Sequence, residues 1–248
     1  MTTNFHAKTV MRPSNRQCGF GISGLLWVIA IFGLLVALWL PVRRSVIPAH
    51  RSQCKNNLKQ IWIALSNYES VYHALPPAYT VDADGNPLHS WRTLILPYLE
   101  QKELYAKIDL TKAWDHPVNA EALKSNVLTY RCPSADGPAN YTNYMAVVTS
   151  NSCFHPTEPR PLSEITDNQM ETLLVIEMSS DHAVPWMAPR DADEAMFLAI
   201  NPTSRLNHTG GMQAAFVDGT VRFLIDTLQT DIRRAFVTIA GNEQLPDY

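Results

Sequence analysis

Residues 20–40 carry no charge and are mostly Leu, Ile, Val, Ala, Trp and Phe. At about 1.5 Å rise per residue, such a run makes a helix of roughly 31 Å, the thickness of a bilayer's hydrocarbon layer. Past Pro41 and Pro48, which are expected to break it, apolar positions return at Cys54, Leu58, Ile61, Leu65, Tyr68 and Tyr72. Their spacing of four and three predicts an amphipathic helix that ends before Pro76 and Pro77. Residues 81–86 read as a turn, after which Ser90 caps a helix over 91–99 kinked at Pro97, with further helical segments at 101–108 and 119–125. Segments 127–130, 141–148 and 172–177, rich in Val, Ile, Thr and Tyr, predict strands. Residues 212–217 and 220–224 flank Asp218-Gly219 as a hairpin, and 227–240 forms a helix stopped by Gly241. The pattern predicts an α+β fold in which an N-terminal transmembrane helix continues as a long helix packed on an antiparallel sheet, with helical insertions. Its divisions are a basic leader at 1–19, a transmembrane helix at 20–41 and an extracytoplasmic α+β domain at 42–248.

Charge sharpens that division. The leader holds Lys8, Arg12 and Arg16 with no acid, so a total of -3 leaves a net charge of -6 after residue 40. That balance excludes nucleic acid as a partner. The one basic stretch beyond the apolar run is Arg43, Arg44, Arg51, Lys55 and Lys59, a collar suited to phospholipid headgroups. Long domains translocate largely regardless of nearby charge, which places the N-terminus in the cytoplasm and the C-terminal domain outside the cytoplasmic membrane. A cleaved secretory signal would have an apolar region of about 7 to 15 residues, shorter than this one.

The cysteines are Cys18, Cys54, Cys132 and Cys153, with no C-x-x-C and nothing spaced as a zinc site. No cofactor or metal is expected. Outside the cytoplasm the expected state is one disulfide and one thiol. Cys54, on the buried stripe of the long helix, and Cys132, at the end of a strand expected to pack on it, are the predicted pair, with Cys153 as the alternative partner.

At the leader junction, Gly19-Phe20 followed by an apolar helix ending at Pro41 resembles the prepilin-type segment of type IV pilins and pseudopilins. That resemblance implies a prepilin peptidase that cuts after Gly19 and a methylated Phe20; the plain alternative is an uncleaved signal anchor. The family usually has Glu five residues into the mature helix, where this chain has Gly24. Farther along, Arg51-Ser52-Gln53-Cys54-Lys55-Asn56-Asn57-Leu58, Pro76-Pro77, Ser90-Trp91-Arg92, Leu96-Pro97-Tyr98, Trp114-Asp115, Arg131-Cys132-Pro133-Ser134, Thr142-Asn143-Tyr144 and Val184-Pro185-Trp186 look like the bacterial family called domain of unknown function 1559. His208, nine intervening residues and Asp218-Gly219 are similar to the H-x9-D-G element of these prepilin-type proteins. The resemblance implies no established biochemical activity.

Candidate chemistry is thin. His208 and Asp218 lack the nucleophile or third ligand of an active site and read as structural: Asp218-Gly219 makes the hairpin turn, and His208 bonds across its base. Asp82, Asp84 and Asn86 alternate like the start of a calcium loop but lack its closing Glu. Ser179-Ser180-Asp181-His182 are too close in sequence to converge as a triad. These residues predict a membrane-anchored, prepilin-like protein with a structural or interaction role, not an enzyme, whose partners are the cytoplasmic membrane, the peptidase and other pilin-like subunits. The alternatives are a tethered solute- or glycan-binding module with a cleft at Trp91, Trp114 and Trp186, and an envelope hydrolase using His208 and Asp218.

Overall fold

The structure is a computed structural model that describes residues 22–243, without the side chains of residues 39–48. The chain forms two compact units divided between Val46 and Ile47. Helix α1 (Ile22–Tyr72) continues through Pro41 and Pro48, where the sequence predicts a break. A proline removes one helical donor, a local loss that flanking turns can absorb as a kink. The helix ends where His73 takes a left-handed conformation, φ 57°.

There follow β1 (Tyr79–Val81), β2 (Pro87–Ser90), α2 (Trp91–Leu94), α3 (Lys102–Tyr105), α4 (Ala120–Leu123), β3 (Tyr141–Thr142), β4 (Tyr144–Met145), β5 (Leu173–Glu177), β6 (Val184–Pro185), α5 (Glu194–Leu198), β7 (Gly211–Phe216), β8 (Val221–Ile225) and α6 (Thr230–Val237). The main sheet is antiparallel, ordered β4-β5-β7-β8; β1 pairs with β2, and β3 with β6. The fold is thus α+β, as the pattern predicts. Residues 127–130, expected as a strand, instead make a 3-10 turn that buries Tyr130, whose hydroxyl donates to the Arg92 carbonyl at 2.6 Å. The predicted helix at 91–99 splits: the Ser90 hydroxyl caps α2, and a separate 3-10 turn carries Pro97.

The sheet is covered on both faces. On one face Cys54, Leu58, Ile61 and Leu65 of α1 pack with Leu174, Val175 and Ala215. On the other, Ile176, Met212, Ala214 and Phe216 meet Phe197 of α5 and Ile232 and Phe236 of α6. The register shift between Leu173 and Val175 lets the adjacent Leu174 and Val175 share one face and leaves Glu177 on the α1 side with Val175. Of the predicted stripe, Tyr72 alone stays largely exposed.

The part of α1 from Arg51 to Trp62 is tied to the β7–β8 hairpin. Arg51 lies 3.3 Å over the Phe223 ring, Lys59 donates to the Gly219 carbonyl at 2.8 Å, and Trp62 Nε1 donates to the Val217 carbonyl at 2.9 Å. Two cations of the expected headgroup collar are therefore engaged within the domain. Gly219 turns the hairpin at φ 85°, and a Cβ there would stand 2.6 Å from the Trp62 ring. Gly219→Ala is expected to cost about 1 to 3 kcal/mol through the left-handed backbone alone, with further loss as Trp62 is displaced. A thermal midpoint unchanged from the parent protein would contradict this docking.

Candidate functional site

The candidate site lies where four separate stretches of chain meet beneath α1. Cys54 of α1 and Cys132, just past the 3-10 turn, form a disulfide with Cα atoms 5.3 Å apart, closing 78 residues of chain. Glu177 ends β5 opposite Tyr144 of β4, and His208 lies three positions before Gly211, the first residue of β7. All four are buried, the least so being His208 at 5 % exposure. His208 Nε2 stands 3.3 Å from Glu177 Oε2 and 3.6 Å from Cys132 Sγ.

A buried carboxylate needs donors, since an unpaired charge there is costly. Asn143 Nδ2 and Asn207 Nδ2 approach Glu177 Oε1 at 3.4 and 3.3 Å, and the Gln213 amide approaches Oε2 at 3.4 Å. Asn143 also accepts from the Cys132 amide at 3.3 Å through Oδ1. Asn57, one turn beyond Cys54, donates to the Arg131 carbonyl at 2.9 Å and to the Tyr144 hydroxyl at 3.4 Å. Burial, then the charge of Glu177, pushes the Tyr144 phenol well above its ordinary range, so it remains a neutral acceptor.

His208 and Asp218 do not converge. They flank β7, a strand of roughly 17 Å by the usual rise, with His208 before Gly211 and Asp218 in the turn after Phe216. The Asp218 carboxylate accepts from the amide and hydroxyl of Thr220, at 2.9 and 2.8 Å. The backbone of His208 bridges to Gly211 at the hairpin base, but its imidazole turns away onto Glu177. The His-x9-Asp-Gly spacing thus spans one strand and its turn, both ends held against α1.

The other candidates are separate. Trp91 and Trp186 are sealed in the core, at 0 % and 1 % exposure. Their indoles donate to Asp191 at 3.1 Å and to the Ser125 carbonyl at 3.0 Å. Trp114 packs partly buried at the edge of the same core. The rings form no open cleft. Asp82 folds onto its own loop, accepting from the amides of Asp84 and Asn86 at 2.9 and 2.8 Å; its hydrogen bonds with Asn86 hold its carboxyl below the usual range. Ser179 Oγ meets His182 Nδ1 at 2.9 Å, while Asp181 faces Arg205 at 3.8 Å. Gly19 and Phe20 lie outside the described residues.

Cys153 is a buried thiol outside the cluster, and burial pushes it up to about 12. Only a thiolate alkylates readily. Cys153 is therefore expected to resist iodoacetamide at pH 8 in the folded protein and to react on unfolding. Peptide mapping that found it modified under native conditions would contradict its placement.

Sequence reading missed Glu177. The available signal was an acid closing the otherwise apolar segment Leu173-Leu174-Val175-Ile176, a place where a charge calls for buried partners. Taken together, the helix on an antiparallel sheet, the disulfide and the buried His–Glu pair define a stapled α+β domain. The chain belongs to the family described as "Protein of unknown function (DUF1559)", which it matches over residues 48–205. The match includes Cys54, Cys132 and Glu177 and ends before His208. No curated protein and no solved structure matches the chain.

Proposed function

We propose that this protein is a membrane-anchored, prepilin-like component of the cell envelope, with its α+β domain outside the cytoplasmic membrane and a structural or interaction role. The observation that carries this reading is the apolar run with which α1 begins. Ile22, Leu25, Trp27, Phe32, Leu35 and Leu38 are all more than half exposed, apolar surface that water does not favour and lipid does. Among the described residues no helix is long and apolar enough to cross a membrane. The apolar run there comprises residues 22–38, because 20 and 21 and the side chains of 39–48 lie outside the description. The Cys54–Cys132 disulfide supports an oxidising compartment for the domain.

Within that reading the protein acts as a minor subunit. A long homofilament buries many terminal amines in an apolar bundle, each needing a carboxylate to offset its desolvation. Gly24 supplies none, and residues 20–40 contain no acid. A hydrolytic role is not part of the proposal, because the groups nearest His208 are a buried carboxylate and a disulfide sulfur.

Mass spectrometry of the membrane-inserted protein tests the reading: a chain beginning at a methylated Phe20 is expected, and Gly19→Leu should retain the leader while leaving insertion intact. An intact N-terminus beginning at Met1 overturns the prepilin assignment in favour of an uncleaved anchor.

A further inference from the structure

The geometry points to a second state of the buried cluster: with the Cys54–Cys132 bond reduced, the two thiolates, His208 Nε2 and a Glu177 oxygen bind one zinc ion. The ligand atoms of these four residues all lie within 4.8 Å of one another. Thiolate, imidazole and carboxylate are together a donor set for zinc. Zinc–ligand bonds of about 2.0 to 2.3 Å in a tetrahedron imply edges of about 3.4 Å between nitrogen and oxygen and about 3.6 Å between nitrogen and sulfur. The corresponding distances here are 3.3 Å, from His208 Nε2 to Glu177 Oε2, and 3.6 Å, from His208 Nε2 to Cys132 Sγ. Two of the six edges of the tetrahedron are thus already at their working size, and breaking the sulfur–sulfur bond frees the two cysteine side chains to swing apart about their Cα–Cβ bonds.

The outer contacts suit such a site. Asn143 and Asn207 hold Glu177 Oε1 and leave Oε2 turned toward the imidazole. Asn143 also fixes the Cys132 backbone, and the Ser134 amide approaches Cys132 Sγ at 3.4 Å, a contact that favours thiolate. Partners of this kind typically carry about 10 to 100-fold in metal affinity. Zinc would offset two of the three negative charges that two thiolates and a carboxylate bring to the buried cluster. Thr209 and Gly210, the two residues after His208, are exposed, so the cluster lies just beneath the surface.

The chemistry balances. A dithiol reductant passes two electrons and two protons to the disulfide, leaving two protein thiols and an oxidised, disulfide-form reductant. Zinc then replaces the two thiol protons, which go to solvent. In reverse, an incoming disulfide takes two electrons from the thiolates and leaves as two thiolates, the Cys54–Cys132 bond re-forms, and zinc departs. Disulfide and zinc are alternative occupants of one site. The sequence pattern concealed it because the ligands come from four separate stretches of the chain, with no short spacing to read.

The test uses the full chain in detergent, reduced with a phosphine and then freed of it, with zinc taken up measured by mass spectrometry and cobalt(II) as an optical probe. One zinc per chain and a thiolate-to-cobalt charge-transfer band are expected for the reduced protein, and neither for the oxidised one. Glu177→Gln and His208→Ala should each weaken zinc binding by more than about 100-fold, above the loss of an outer contact. Equal uptake by the reduced and oxidised chains overturns the proposal. So does undiminished uptake by reduced Cys54→Ser/Cys132→Ser, which would place the metal elsewhere, for example at Cys18. Because the wild-type cobalt spectrum requires no substitution, the proposal is decided even if a variant fails to fold. Its outcome is independent of where the mature chain begins.

Discussion

Replacing Arg92 by methionine is expected to lower the stability of the domain by about 3 to 5 kcal/mol, the usual cost of removing one partner of a buried ion pair. The Arg92 side chain is fully buried and lies 2.7 Å from Asp191. Each of its five N–H donors has an acceptor: the carbonyls of Trp186, Tyr144, Ala188 and Arg190, at 2.8 to 3.3 Å, and the Asp191 carboxylate. One side chain thus joins the start of α2, strand β4 and the loop after β6. Asp191 in turn accepts from the Trp91 indole and the Ala146 amide.

The pH dependence has a definite sign. Burial pushes the Asp191 carboxyl above its ordinary range, and Arg92 opposes that push. Without Arg92 the folded-state value rises further. A carboxyl raised in the folded state favours folding below its ordinary value near 4 and loses that contribution as pH climbs through the raised value. Arg92→Met should therefore recover part of its lost stability on acidification from pH 7 to pH 5. Urea unfolding at the two pH values checks this. A loss under 1 kcal/mol at pH 7, or a variant that weakens further on acidification relative to the parent, would show that the pair does not organise this core.

The second large effect concerns the staple. Cys54→Ala/Cys132→Ala removes a link across 78 residues, and loop-closure entropy assigns such a link about 4 to 5 kcal/mol. The same loss is expected on reducing the parent protein in the presence of a chelator, which keeps metal from substituting for the covalent bond. Calorimetry of oxidised, reduced and double-variant protein should give one high midpoint and two lower, similar ones. Coincident midpoints for all three would mean that packing of α1 on the sheet suffices without the cross-link.

Much of this architecture is legible in the chain because it depends on local periodicity. Cys54, Leu58, Ile61 and Leu65 repeat at the helical interval, and that interval alone defines which face of α1 is buried. The hairpin around Asp218-Gly219 is equally local, since a left-handed turn between two extended apolar runs requires a residue like glycine. The segment 127–130 misled for the opposite reason. Its Val, Leu, Thr and Tyr favour a strand, but no neighbour supplies a ladder, and the Tyr130 hydroxyl finds its partner in Arg92.

The candidate site belongs to the second kind. The Cys54–Cys132 pair is read from the sequence, but nothing near Glu177 in sequence indicates that it faces His208 beside that pair. Their encounter follows from the register of β4 on β5 and from the irregularity between Leu173 and Val175, which decides the face on which Glu177 emerges. Apolar runs, helix periodicity and turn residues act over a few positions, and the order of residues is enough to read them. Strand register and the meeting of distant side chains arise from competition among whole faces for burial, which only the assembled fold resolves.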